Sequence, residues 1–350
     1  MIVVGIETTC DETSVGILRF TQKKRKNSRL PEVEELALIT LSQDFHSIYG
    51  GVVPELASRA HLENITLVLK EALRKAKIDI SEVDIISVAS EPGLPGSLIV
   101  GTSFAKGLAQ SLSKSIVAVN HVEAHIISPL IENDLKFPFA SLIVSGGHSS
   151  LYLVEDIGSY KLLLKTRDDS VGEVFDKVAK FFRFGYPGGP IIDYISAGAN
   201  SLFSFPEIQV EDLSFSGIKT FCVRTPINWF GPFPLPEFFS SFQKKVIDEV
   251  IDKTIKSLKK LEIEINTVAV SGGVARNSYF RRRVKDFPEI NFVFPSPKYC
   301  TDNGSMIAFL GGLKKILFSQ ESDLNFDIRP TGVLKSKGGI DWKSDIFSPS

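Results

Sequence analysis

Apolar residues gather at the start of the chain as Val3, Val4 and Ile6, and again over 14–20, on either side of the polar stretch Glu7-Thr8-Thr9-Cys10-Asp11-Glu12-Thr13. Two strand-length apolar runs around a polar turn predict a β-hairpin. The design returns where 141–144 and 149–154 flank Ser145-Gly146-Gly147-His148. A third run, Val268-Ala269-Val270, passes through Ser271-Gly272-Gly273 towards a helix expected from near Arg276. Repetition of strand, small-residue turn and strand predicts a duplicated architecture. Between the hairpins, Leu56, Ala60, Ile65, Leu69, Ala72 and Ala76 keep helical spacing, with Pro54 suited to the first turn. Further helices are expected at 97–112, 121–131, 175–182, 237–260 and 304–317, and strands at 85–89, 116–119 and 290–294. Alternation of this kind predicts an α/β protein. The expected division is a first lobe at 1–115, a second at 116–303 and a tail at 331–350, with the helical segment from 304 to about 330 packing back on the first lobe.

Two stretches break the pattern. Lys23-Lys24-Arg25-Lys26-Asn27-Ser28-Arg29 is a basic run at an expected hairpin tip, read as a solvated loop or a contact for a polyanion or partner. The segment 226–236, with Trp229, Phe230 and Phe233 among four prolines, is an apolar loop that packs on its own lobe or docks a partner.

Composition narrows the class. A chain of 350 residues, 43% hydrophobic, buries a large core, so disorder is not the expectation. No apolar run reaches the roughly 18 to 20 residues that span a bilayer, and the N-terminal run lacks a cationic leader, so no membrane association and a cytoplasmic location are expected. Three cysteines, Cys10, Cys222 and Cys300, without a C-x-x-C pair, suggest reduced thiols. Lys and Arg total 40 against 41 Asp and Glu, so any contact with a polyanion is local or shared with a partner.

His121-Val122-Glu123-Ala124-His125 sets two imidazoles four residues apart, on one face of a helix and about 5 to 6 Å apart at Cβ. They suit one metal ion, or a buried or capping pair. A zinc-protease motif is excluded, because Glu123 follows His121 by two positions and points about 200° around the helix from it. Asp302, ahead of an apolar helix, is either an N-cap or a third ligand. Two histidines and a carboxylate with open positions suit Fe2+ or Zn2+. Ser145-Gly146-Gly147 and Ser271-Gly272-Gly273 let backbone N–H groups approach a phosphate or nucleotide. Asp11 and Glu12 could orient a bound water or an amine, although turns favour Asp in any case.

From residue 2 to about 330 the chain resembles the TsaD family of tRNA threonylcarbamoyladenosine synthases. The segments carrying this are Gly5-Ile6-Glu7-Thr8-Thr9-Cys10-Asp11-Glu12-Thr13, Gly50-Gly51-Val52-Val53-Pro54-Glu55-Leu56-Ala57-Ser58-Arg59, the His121 to His125 helix, Val144-Ser145-Gly146-Gly147-His148, Gly172-Glu173-Val174-Phe175-Asp176-Lys177, Tyr186-Pro187-Gly188-Gly189-Pro190, Ser214-Phe215-Ser216-Gly217-Ile218-Lys219-Thr220 and Cys300-Thr301-Asp302-Asn303-Gly304.

The resemblance implies an actin-like, Hsp70-like, sugar-kinase-like fold of two ribonuclease-H-like lobes around a nucleotide cleft. It implies transfer of a threonylcarbamoyl group from threonylcarbamoyl-AMP to an adenosine amine in tRNA. Implied metal ligands are His121, His125 and Asp302, for one divalent transition metal, Fe2+ favoured and Zn2+ possible. Implied donor-binding residues are Ile143, Val144, Ser145, Gly146, Gly147, Asp176, Gly189, Asp193 and Asn277, with Asp11 or Glu12 accepting the amine proton. TsaB-like and TsaE-like subunits are the implied partners. The basic run and the Trp229 loop depart from the family pattern. Alternatives on the same fold are a small-molecule kinase or ATPase, against which the histidine pair argues, and a scaffold subunit, against which retention of all three ligands argues.

Overall fold

The computed structural model describes residues 1–25, 29–224, 233–332 and 334. Its first sheet holds β1 (Ile2–Glu7), β2 (Glu12–Lys24), β3 (Pro31–Ser42), β4 (Ile85–Glu91) and β5 (Ser115–Asn120) in the order β3-β2-β1-β4-β5. The second holds β6 (Phe139–Val144), β7 (Ser149–Asp156), β8 (Ser159–Lys165), β9 (Thr267–Ser271) and β10 (Asn291–Val293) in the order β10-β9-β6-β7-β8. Read from the opposite edge, the second order repeats the first. In each sheet an antiparallel three-strand meander is followed by two strands added in parallel. The repeated hairpins of the sequence are therefore a duplicated lobe.

Helices α1 (Pro54–Ala76), α2 (Pro95–Leu112), α3 (His121–Ile127), α4 (Val171–Phe181), α5 (Gly188–Ile195), α6 (Ser216–Arg224), α7 (Leu235–Lys259), α8 (Ser278–Arg283) and α9 (Gly304–Phe318) cover the sheets. Proline in the first turn opens α1, α2 and α7, where its missing N–H costs no helical bond. With helices on both faces, β1 and β4 read as nearly continuous apolar runs rather than alternating ones. In the second lobe Phe238, Phe239 and Phe242 of α7 meet Phe175 and Phe215 in the core, and Phe233 packs on Phe238 at 5.3 Å between ring centroids. Thus Phe233, from the apolar loop, lies on its own lobe, while Trp229 and Phe230 fall outside the described residues.

Several expectations need correction, among them the helical segment expected from 304 to about 330, which ends at Phe318. The strand expected at 116–119 to open the second lobe instead closes the first sheet, because β5 pairs in parallel with β4. The helix expected over 121–131 stops at Ile127: Pro129 has no N–H to continue the ladder, and Ser128–Ile131 winds into a 3₁₀ turn. The helix expected from Arg276 begins at Ser278, after a 3₁₀ turn over Gly273–Arg276. In the basic run, Arg25 donates to the carbonyls of Leu130, Ile131 and Asn133, and Arg29 pairs with Asp156, so both are tied to the second lobe rather than merely solvated. Lys26, Asn27 and Ser28 lie outside the described residues.

Helix α9 lies on the first sheet opposite α1 and α2, and glycines permit the approach. A Cβ on Gly5 would stand 2.1 Å from the Gly304 carbonyl oxygen, and one on Gly16 would stand 2.2 Å from the Ser305 nitrogen. This contact brings the loop ahead of α9, with Asp302, to the end of the first hairpin.

Candidate metal centre and cleft

The end of β5 delivers the histidine pair. Asn120 caps α3, its Oδ1 accepting from the Glu123 N–H at 3.0 Å. Every residue of the short helix is buried. His121 and His125 face each other with ring centroids 4.6 Å apart. Glu123 points away, accepting from Tyr160 Oη at 3.2 Å and pairing with Lys314 Nζ at 2.7 Å, so it serves the packing of α9.

Asp302 arrives from 177 residues downstream, its Oδ1 lying 2.9 Å from His125 Nε2 and 3.6 Å from His121 Nε2. Asn303, not Asp302, caps α9 by accepting from the Met306 N–H at 2.9 Å, which leaves the aspartate free for the imidazoles. One ligand atom each from His121, His125 and Asp302 falls within 4.8 Å of the others. Glu7, fully buried at the end of β1, adds a second layer: its Oε2 is 3.0 Å from His121 Nδ1. That contact holds a proton on Nδ1 and turns Nε2 towards the shared point.

Burial alone would lower His121, but the carboxylates of Glu7 and Asp302 overcome it and push it up to about 9. Asp302 is held below the usual carboxylate range despite burial, by His121 and His125. His125 Nδ1 is buried without a hydrogen-bond partner among the described residues, while its Nε2 faces Asp302. The donor set suits one divalent metal ion, which competes with the imidazole protons for the same nitrogens.

The first-hairpin turn is held from behind. His61 of α1 has Nδ1 2.8 Å from Thr13 Oγ1 and Nε2 2.9 Å from the Cys10 carbonyl. Burial lowers His61, keeping it neutral for that bridging role. The turn so fixed carries Asp11 and Glu12, and burial together with Asp302 and Asp11 pushes the Glu12 carboxyl well above its usual range.

On the other lobe, β6 and β9 run in parallel with Ile143 opposite Ser271, which sets the two glycine-rich turns side by side. Gly272, at φ +91°, has room only for hydrogen, since a Cβ would meet the Val144 carbonyl oxygen at 2.3 Å. Ile143 and Val144 have buried side chains, and the chain emerges at Gly146 and Gly147. The start of α4 closes on this turn, Gly172 N–H donating to the Ser145 carbonyl at 3.0 Å. One turn further along α4, Asp176 accepts from the Gly188 N–H at 2.7 Å, beside Gly189. Asp193 accepts from Ser278 through both its N–H, at 2.9 Å, and its hydroxyl, at 2.8 Å, tying α5 to α8. Asn277 is buried with both ends of its amide engaged, by Gln243 and by the Phe280 N–H.

Glu7, His61 and His148 are functional neighbours to which sequence reasoning gave no role. His148, at the end of the glycine turn, is lowered to about 4 by burial and by the nearby His121 and His125, which places that turn beside the candidate ligands. A signal for Glu7 was available: an acid ending a wholly apolar strand needs a partner.

Burial raises Asp176 from 3.8 to about 6 against the pull of the Gly188 N–H, with the Asp11 charge adding to the rise. A folded carboxyl that holds its proton more tightly than the unfolded chain loses stability as pH climbs from about 4 to 6. Asp176→Asn keeps the acceptor for Gly188 and removes that cost. It should raise stability at pH 7.5 by about 1–2 kcal/mol after allowing for solvent screening, with the gain shrinking towards pH 4. Thermal midpoints of both proteins across this range check it; a pH-independent difference contradicts the assignment.

Comparison with known proteins follows the same lines. The sequence profile of the family described as TsaD, tRNA N6-adenosine threonylcarbamoyltransferase, matches residues 34–309. Proteins named tRNA N6-adenosine threonylcarbamoyltransferase are similar to this chain in Dictyoglomus turgidum (44% identity, 89% of this chain and 92% of the relative) and Thermodesulfovibrio yellowstonii (43%, 94% and 98%). Among solved structures, full-length HypF in a phosphate- and nucleotide-bound form superposes with TM-score 0.57 at 12% identity, over 90% of this chain and 56% of that one. Component A of the Acidaminococcus fermentans (R)-2-hydroxyglutaryl-CoA dehydratase gives 0.54 at 11%, over 89% and 96%. The structural likenesses bear on the fold alone.

Proposed function

The chain belongs to the TsaD family of tRNA N6-adenosine threonylcarbamoyltransferases, and from that premise we propose how its own residues divide the reaction. Its fold is of the actin-like, Hsp70-like, sugar-kinase-like class, two α/β lobes around a central cleft. The enzyme is of the acyltransferase type: it moves a threonylcarbamoyl group to the exocyclic N6 amine of an adenosine next to the anticodon in tRNA. The donor in our reading is threonylcarbamoyl-AMP.

His121, His125 and Asp302 are the proposed ligands of one divalent transition metal, Fe2+ by preference and Zn2+ as the alternative, since a two-histidine, one-carboxylate set suits both. When bound, such an ion supplies positive charge that polarises the carbamate carbonyl or neutralises the donor phosphate. The N–H groups of Gly146 and Gly147, past the strand end formed by Ile143 and Val144, are offered to the donor phosphate beside the start of α4, while Ser145 closes the turn by donating its N–H to the His148 carbonyl at 2.8 Å. Asp176 and Asp193 accept from ribose hydroxyls through lone pairs their backbone contacts leave free, Gly189 leaves space, and Asn277 holds the start of α8.

An adenine amine is a weak nucleophile, so placing it accounts for much of the rate. Asp11 or Glu12, on the turn that His61 holds in place, is the proposed acceptor of its proton. Among the described residues no helix is long and apolar enough to cross a membrane, and a tRNA substrate favours a cytoplasmic location. TsaB-like and TsaE-like subunits are proposed companions.

The observation that carries this reading is the convergence of His121, His125 and Asp302 beside the Gly146 turn. A transferase fed a preformed mixed anhydride needs no energy from ATP. Preformed threonylcarbamoyl-AMP and tRNA, with companions if required, should give about one modified adenosine per site without ATP. AMP should appear in step with it. Dependence of that first turnover on ATP hydrolysis, or phosphorylation of a small molecule, would favour a kinase.

A further inference from the structure

We infer that Glu35, on the edge strand β3 of the first lobe, is a positioning residue for Asp302. It grips the chain on both sides of that ligand. Glu35 Oε1 is 2.7 Å from Lys298 Nζ, while its Oε2 accepts from Tyr299 Oη at 2.6 Å and from Ser305 Oγ at 2.8 Å. Lys298 and Tyr299 precede Asp302 and Ser305 follows it, and both hydroxyl donors sit on buried residues. Burial would raise the Glu35 carboxyl, but these three donors hold it below the usual range, so the clamp is charged at neutral pH.

The backbone of β3 is shaped to aim this side chain. The register of β2 against β3 runs Gly16 to Leu38 and Ile17 to Ala37, then jumps, with Leu18 opposite Glu35. In unbroken alternation Glu35 would share the face of Ala37, which packs among the core residues under α1 and α2. The extra residue at Leu36 turns Glu35 to the other face, where Val33 packs with α9. Re-aiming a side chain is what a β-bulge does.

The segment needs such a clamp. Between Pro295 and Gly304 the chain has only the 3₁₀ turn Pro297–Tyr299 and no strand ladder, so side chains must supply its rigidity. Glu132 secures the other end, accepting from the Ser296 N–H and hydroxyl, both at 2.7 Å, and it directly follows the 3₁₀ turn that extends the histidine helix. One carboxylate ties the loop to the helix of the two histidines and the other to the first sheet, with Asp302 between them.

This inference rests on Asp302 as a metal ligand, and the test separates the two. The metal-free full chain is titrated with Zn2+ against a chromogenic chelator. Asp302→Ala should lose binding. Glu35→Leu should weaken it about 10- to 100-fold, the usual effect of removing a residue that orients a ligand. Glu35→Gln, which keeps one acceptor, should fall between that and the parent. Tyr299→Phe should also weaken binding, and combined with Glu35→Gln should cost less than the product of the two single effects, because they break one contact. A merely structural residue would lower the thermal midpoint of the metal-free chain and leave zinc affinity unchanged. If Glu35→Leu does not fold, Glu35→Gln and Tyr299→Phe carry the test. Parental affinity in the Glu35 variants beside loss in Asp302→Ala overturns the role of Glu35 alone. Parental affinity in Asp302→Ala overturns both readings.

Discussion

Replacing Asp302 by alanine should remove nearly all bound metal from the purified enzyme and slow the single turnover by at least ~10³-fold, the equivalent of roughly 4 kcal/mol of charge stabilisation. The reason is geometric. Asp302 Oδ1 is the atom on which both Nε2 atoms converge, and without it His121 and His125 offer only two donors on one helix face. His121→Ala and His125→Ala should behave alike, because a residue set acting as a unit fails as a unit. Binding of tRNA should persist in all three, since most protein contacts to a nucleic acid are with its phosphates. Metal analysis of each variant, with rapid-quench turnover using preformed donor, checks this. Full occupancy in all three would remove the site from the protein.

A single methyl group at Gly16 should be nearly as damaging, although it touches no ligand. The added Cβ would stand 2.2 Å from the Ser305 nitrogen and 2.5 Å from the Gly304 carbonyl carbon, both backbone atoms with no rotamer to yield. Helix α9 would have to lift from the sheet. Gly16→Ala should cost at least about 3 kcal/mol, or roughly 5 °C or more in thermal midpoint for a chain of this size. Metal affinity should fall with it, because Asp302 rides on the start of the same helix. Gly107 provides the control: it is exposed on α2, and a Cβ there meets nothing within 4 Å. Gly107→Ala should be neutral or stabilising by up to about 1 kcal/mol, as alanine is the better helix former. Equal midpoints for the Gly16 and Gly107 variants would contradict the packing argument.

These expectations separate what the chain declares locally from what its packing creates. The hairpins at both lobes, α1 with its opening proline, and the spacing that puts His121 and His125 on one helix face are legible because strand and helix periods act over a few residues. The edge strand β8 and the helices α5 and α6 were not expected, and β3 was implied only as the far arm of a hairpin with its tip in the basic run. Edge strands bury little, as the mostly half-buried and exposed β3 shows, so their apolar signal is weak. Near residue 116 the pattern marks a strand but cannot say which sheet takes it, since partner choice is a long-range hydrogen-bonding decision.

The same division runs through the centre itself. That Asp302 could be a cap or a ligand was evident from its place before an apolar helix; Asn303 takes the cap, and only the folded chain decides that. Glu7 beside His121 and Glu35 around the Asp302 loop follow from β1 and β3 meeting segments more than a hundred residues away. The charge states are likewise tertiary. Sequence supplies carboxyls and imidazoles with ordinary affinities for protons; opposite charges packed beside them drive His121 up and Asp302 down against the effect of burial, while burial drives Glu12 well above its usual range.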